Sequence, residues 1–134
     1  MQLLLDTHVL IWAAQGAPRI GRRTRAMIER SLGDGSALVS AVSFWEVARL
    51  VRLGRLKIAS EPAAWRSRIL EAGFEEAVLD GQIGIRAADL SSLSGDPIDR
   101  FIVATALVRG AAVVTADEAI LGWGGSLARQ DASK

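Results

Sequence analysis

Ala111-Ala112-Val113-Val114-Thr115-Ala116-Asp117 is a run of small and β-branched residues that closes on an acid. A run of this kind, with no alternation of polar and apolar positions, predicts a strand buried on both faces, as in a parallel sheet. Gln2 to Leu5, followed by Asp6, repeats the pattern near the other end of the chain. Ala37-Leu38-Val39 and Ala77-Val78-Leu79 read as two more strands, and Ser126-Leu127-Ala128 as a faint last one. Helix-like segments lie between them. Thr7 to Gln15 is broken by Gly16-Ala17-Pro18, and Arg22 to Leu32 is stopped by Gly33-Asp34-Gly35. A helix capped by Ser43 runs to Leu53, with Glu46 at capping-box spacing. Glu61-Pro62 opens a helix that stops at Gly73, and Gln82 to Leu93 reads as another. Pro97 suits the first turn of a helix that ends at Arg109, and Asp117 to Leu121 is a short one. Strands alternating with helices predict an α/β fold, three-layer α/β/α, around a short central parallel sheet.

At 134 residues, half of them apolar, the chain predicts one domain with a substantial core. There is no cysteine, which excludes disulfides, thiolate metal sites and thiol nucleophiles. No apolar stretch approaches the ~20 residues of a membrane span. Met1-Gln2-Leu3-Leu4-Leu5-Asp6 has neither a basic lead-in nor a cleavage site, which predicts no signal peptide, no membrane and a cytoplasmic protein. The net charge of +1 comes from 16 basic and 15 acidic residues. If four of the acids face one pocket, the remaining surface is basic, as suits a polyanionic partner.

Those four acids are Asp6, Glu46, Asp99 and Asp117. Asp6 and Asp117 each follow a strand and precede a helix; Glu46 and Asp99 lie near the starts of two helices. In an open α/β sheet, ligands sit beyond the carboxyl ends of the strands, where such residues gather. Clustered carboxylates are the donor set for Mg²⁺ and similar hard cations, and paired cations activate water in phosphodiester hydrolysis without a protein nucleophile. Each acid also has an ordinary reading. Asp6 and Asp117 serve as N-caps, Ser43 and Glu46 make a capping box, and Asp99 or its neighbour Asp96 favours a helix dipole. Four caps do not by themselves predict convergence, and the functional reading requires it. Thr115, two residues before Asp117 on the same side of a strand, either packs or touches bound water. His8, the only histidine, reads as a helix-start packing residue. Arg49 either pairs with Glu46 or reaches a phosphate, and Arg52 and Arg100 are open to the same two readings. The four tryptophans fall at core-like spacings, which favours core or dimer packing over base stacking.

The stretches at 4–12 (Leu-Leu-Asp-Thr-His-Val-Leu-Ile-Trp), 39–47 (Val-Ser-Ala-Val-Ser-Phe-Trp-Glu-Val), 96–106 (Asp-Pro-Ile-Asp-Arg-Phe-Ile-Val-Ala-Thr-Ala) and 113–117 (Val-Val-Thr-Ala-Asp) closely resemble PIN domains. Their order and spacing, with Arg52-Leu53-Gly54-Arg55-Leu56 after the Glu46 helix, resemble the VapC-type toxins of bacterial toxin–antitoxin pairs. The resemblance covers about residues 2 to 123. It implies a PIN-like nuclease domain at 1–123 and a polar end at 124–134 that is either a weak last strand or mobile. It implies that Asp6, Glu46 and Asp99 are the core metal-binding and catalytic acids, Asp117 a fourth and more variable one, and Asp96 an accessory; the strand position of Thr115 makes it a further accessory candidate. On the residue reading, Arg49, Arg52 and Arg100 are the candidates for RNA contact, against the ordinary reading of exposed arginines that are simply solvated. The implied activity is that of a Mg²⁺- or Mn²⁺-dependent endoribonuclease toxin, usually a homodimer, inhibited by a cognate antitoxin. The glycine-rich Trp123-Gly124-Gly125-Ser126 departs from the more apolar last strand of related chains.

Two rivals stand beside this reading. One is a PIN-fold module that binds RNA or an antitoxin and cuts nothing. The other is a phosphoryl-transfer domain of another α/β family. That class wants a second acid beside Asp6 and a nearby lysine, whereas position 8 is His and the only lysines are Lys57 and Lys134. No glycine-rich phosphate loop follows any strand.

Overall fold

The computed structural model describes all 134 residues. In chain order the elements are β1 (Leu3–Leu5), α1 (Thr7–Gln15), α2 (Arg22–Asp34), β2 (Ala37–Ser40), α3 (Ala41–Arg52), α4 (Pro62–Glu71), β3 (Glu75–Ala77), α5 (Gly81–Ala88), α6 (Pro97–Arg109), β4 (Ala112–Thr115), α7 (Glu118–Leu121) and β5 (Arg129–Asp131). The strands form one parallel sheet in the order β3-β2-β1-β4-β5. Alternate residues of its central strands serve two separate cores. Leu3, Leu5, Ala37, Val39, Ala112 and Val114 join Val9 and Leu10 of α1, Ile28 of α2 and Trp65 and Ile69 of α4. Leu4, Leu38 and Val113 join Ile83 of α5, Ile102 and Val103 of α6 and Ile120 of α7. Helices therefore cover both faces, and the three layers follow from the unbroken apolar strands. Each fully buried leucine contributes roughly 1.5–3 kcal/mol.

β1 is flanked by β2 on one side and β4 on the other, so the chain reverses its direction of progress across the sheet between β1 and β4. That switch point opens a crevice at the strands' carboxyl ends. α1, α3 and α7 begin there because each follows a strand directly. α6 begins there because a crossover helix runs antiparallel to the strand it leads into.

Most boundaries lie within two residues of the sequence reading, α2 running on through Gly33 to Asp34, and four differ for a clear local reason. β2 runs on to Ser40, whose hydroxyl accepts from the Val42 amide at 3.1 Å, so α3 starts at Ala41 and Ser40 is its cap in place of Ser43. β3 lies at Glu75–Ala77, and the apolar Val78 and Leu79 are exposed beyond it. As an edge strand it keeps charge on its rim, with Glu75 paired to Arg109 and Glu76 to Arg66. α5 ends at Ala88, and Leu90 and Leu93 are buried from a loop. The last strand lies at Arg129–Asp131 and not at Ser126–Ala128. This strand is polar because its side chains make specific bonds. Arg129 donates to the Ile120 carbonyl at 2.7 Å, and Gln130 donates to the Thr24 hydroxyl at 3.1 Å.

The chain after β5 packs on the start of α2. Ala132 is fully buried, the Gly21 amide donates to its carbonyl at 2.9 Å, and the Arg23 amide donates to the Lys134 carbonyl at 3.0 Å. A Cβ on Gly21 would overlap the backbone of Lys134. Gly21→Ala should cost about 2 kcal/mol and lower the melting temperature by several degrees. Thermal unfolding followed by circular dichroism measures it, and an unchanged transition would contradict this packing.

Candidate metal centre

Asp6 ends β1 and caps α1. Its Oδ1 accepts from the Thr7 amide at 2.8 Å, and its Oδ2 accepts from the Thr115 hydroxyl at 2.7 Å. The carboxylate is nearly buried, only 3% exposed, so these donors fix its orientation. Thr115 in turn accepts from the Asp117 amide at 2.9 Å, which ties the ends of β1 and β4 together. This fully buried hydroxyl positions the two acids through that link. Asp117 caps α7, its Oδ1 accepting from the amides of Ala119 and Ile120 at 2.8 and 3.3 Å.

His8 Nε2 accepts from the Ala116 amide at 3.1 Å. An amide donor there puts the neutral ring's proton on Nδ1, which stands 3.4 Å from Asp6 Oδ2. The ring packs edge-on against Trp12. His8 thus buttresses Asp6 and ties α1 to the turn after β4.

Glu46 has no capping duty, because α3 is capped by Ser40. Its Oε1 instead accepts from the Thr7 hydroxyl, and the Thr7 and Ser43 oxygens are 2.8 Å apart. With Thr7's proton given to Glu46, Ser43 donates to Thr7. The chain Ser43–Thr7–Glu46 joins α3 to α1 and is buried at its first two members. The sequence reading takes Ser43 as a helix cap and passes over Thr7, because their pairing between α3 and α1 exists only in the fold.

Asp96 caps α6, accepting from the Ile98 amide at 3.0 Å, and Asp99 follows in the first turn. Gly95, beside the Asp99 carboxylate, has φ +102°, a conformation that favours glycine in this turn. The Arg100 Nε donates to the Leu93 carbonyl at 3.3 Å and holds the loop before α6. Arg49 lies over the ring of Trp45 and forms no ion pair with Glu46. Arg52 lines an exposed hollow with these two residues.

Asp6, Glu46, Asp96, Asp99 and Asp117 all line one cleft of about 230 Å³, with Thr7, His8, Ile11 and Leu50. The convergence that separate caps do not predict is therefore present, and caps and cleft acids are partly the same residues. No arginine or lysine is ion-paired with any of the five. Burial first, then repulsion from Asp6, Asp117, Asp96 and Glu46, pushes the Asp99 carboxyl up to about 7. Burial also raises Glu46, which the Thr7 hydrogen bond partly offsets. An all-oxygen donor set with uncompensated charge suits a hard divalent cation. No three of these side chains already stand in a ligand cage, so a cation would have to draw them together.

A family model for the PIN domain matches residues 3–121. The chain belongs to the PIN domain family. A relative in this family, Ribonuclease VapC22 of Mycobacterium tuberculosis, is 30% identical over 115 residues, covering 86% of each chain. Solved structures share the PIN fold. VapBC from Salmonella typhimurium, bound to DNA, superposes with a TM-score of 0.72 over 98% of both chains at 19% identity. FitAcB from Neisseria gonorrhoeae gives 0.68 over 97% of both at 21% identity. At these identities the structural likeness speaks to the fold, and the PIN sheet order places the acid cleft at its carboxyl edge.

Proposed function

We propose that this PIN-domain chain is a Mg²⁺- or Mn²⁺-dependent endoribonuclease and the toxin of a toxin–antitoxin pair, acting in the cytoplasm as a homodimer. One observation carries the reading: five carboxylates from distant parts of the chain share one cleft with no arginine or lysine paired to any of them. The relative named a ribonuclease supports RNA as substrate, and the VapBC neighbours support a cognate antitoxin as partner. No helix is long and apolar enough to cross a membrane.

Asp6, Glu46, Asp99 and Asp117 would hold the cation, with Asp96 at the rim. When bound, a divalent cation supplies Lewis acidity and lowers the pKa of water for in-line attack on phosphorus. The chain's own groups do the positioning. Thr115 and the Thr7 amide fix Asp6, and the Ser43–Thr7 pair fixes Glu46. Asp99, whose pKa burial and then its neighbours push up to about 7, would have to give up its proton to hold a cation.

Incubating the protein with cellular RNA should give shorter fragments with Mg²⁺ or Mn²⁺ and none with chelator. The same cations should raise the melting temperature. A non-catalytic binding module is favoured by one observation, the absence of a preformed ligand cage. Intact RNA together with an unmoved melting temperature at millimolar Mn²⁺ would select that module instead.

A further inference from the structure

Trp45 precedes Glu46 on α3 and is 54% exposed. Two residues on, Val47 is fully buried, so the helix presents this indole to solvent on its outer side. A large aromatic kept in water forgoes a sizeable hydrophobic gain and marks a contact surface. The Arg49 guanidinium lies 5.7 Å from the ring centroid. Neither Arg49 nor Arg52 is ion-paired with an acid. Trp45, Ala48, Arg49 and Arg52 line an open hollow of about 370 Å³.

This hollow adjoins the acid cleft. Glu46 and Leu50 line the cleft from the same two turns of α3 that carry Trp45, Ala48, Arg49 and Arg52. We propose that this face of α3 is a stacking platform for a base of single-stranded RNA, placed so that the adjoining phosphate enters the cleft. The proposal rests on the ribonuclease reading above. An exposed indole offers a π-face that every base can stack on, and unpaired arginines neutralise phosphate. Those two cations also counter the repulsion that five carboxylates would exert on an approaching polyanion. Charge complementarity thus favours a nucleic acid over a protein partner on this face.

Binding without cleavage isolates the platform. Fluorescein-labelled oligouridylate and oligoadenylate are titrated with the protein in chelator and followed by fluorescence anisotropy. Trp45→Ala should weaken both by about tenfold or more, while Trp45→Phe stays within roughly threefold of wild type. Replacing Arg49 and Arg52 together by Gln should flatten the dependence of log Kd on log salt by about 0.7 for each phosphate that is no longer neutralised. Circular dichroism confirms folding of each variant. Wild-type affinity in folded Trp45→Ala overturns the proposal. So does a Trp45→Ala chain that loses a dimer in sedimentation yet binds RNA normally, which would make the face a protein interface. RNA bound through Trp45 but left uncut on adding Mg²⁺ would sink the nuclease reading and leave the platform standing. Wild-type protein that binds neither oligonucleotide removes the platform.

Discussion

Asp99→Asn should abolish RNA cleavage, by a factor on the order of 10³, and make the metal-free protein more stable at pH 8. Both effects have one origin. Asp99 sits half-buried in the first turn of α6 among four other carboxylates, and burial first, then their repulsion, raises its pKa from 3.8 to about 7. Between those two values the folded chain holds a proton that the unfolded chain has released. Stability therefore falls as pH rises through that window, and above about 7 the folded chain carries the whole cost of an ionised Asp99. Asparagine removes the charge and the cost. Because the side chain is partly in water, the gain is discounted to about 1 kcal/mol, a rise of a few degrees in melting temperature at pH 8 that vanishes at pH 4. Saturating Mn²⁺ reverses the order, since only the wild type binds the cation well and gains from it. Melting curves with and without Mn²⁺ at the two pH values, beside a cleavage assay, test both parts. Unchanged cleavage removes Asp99 from the chemistry. A variant less stable than wild type at pH 8 without metal contradicts the crowded-carboxylate account.

The parts of this fold legible in the sequence were those where one physical requirement dominates. β1, β2 and β4 are buried on both faces, so Leu3–Leu5, Ala37–Val39 and Ala112–Val114 have to be apolar throughout. α6 opens with Pro97 and closes at Gly110 in the left-handed region, and its bounds match the reading. The edges escaped because their requirement differs. β5 is Arg-Gln-Asp, held by side chains reaching across to Ile120 and Thr24, and no periodicity announces such bonds. β3 was drawn two residues late by Val78 and Leu79, which the edge leaves in water. The sequence reading caps α3 with Ser43; Ser40 takes that place because β2 extends as far as Ser40. The acids were legible because strand ends and helix starts meet at one edge of a parallel sheet. The hydroxyls that aim them were not, since Thr7 and Ser43 are 36 residues apart and meet only in the fold. Trp45 shows the converse error, a core-like spacing on a residue that faces solvent.

Thr7→Val should lower cleavage about 10- to 100-fold at fixed metal, although the new side chain nearly matches the old in shape. Thr7 is 4% exposed and its hydroxyl is the only donor to Glu46 Oε1. Valine leaves that oxygen free to swing, and leaves the buried Ser43 hydroxyl without its partner, at a cost of about 1–2 kcal/mol in stability. Lost stability alone would not alter the pH profile of the folded fraction, but the lost bond to Glu46 does. The Thr7 bond lowers the Glu46 pKa against burial, so its removal moves that pKa further up. Glu46 must be ionised to hold a cation, and the acidic limb of the rate profile should therefore shift to higher pH. More metal should be needed for half-maximal rate. Thr7→Ser restores the donor and should recover activity to within a few-fold of wild type on both measures. A Thr7→Val protein that cuts at the wild-type rate, with unshifted pH and metal dependence, would mean that Glu46 needs no hydroxyl to aim it.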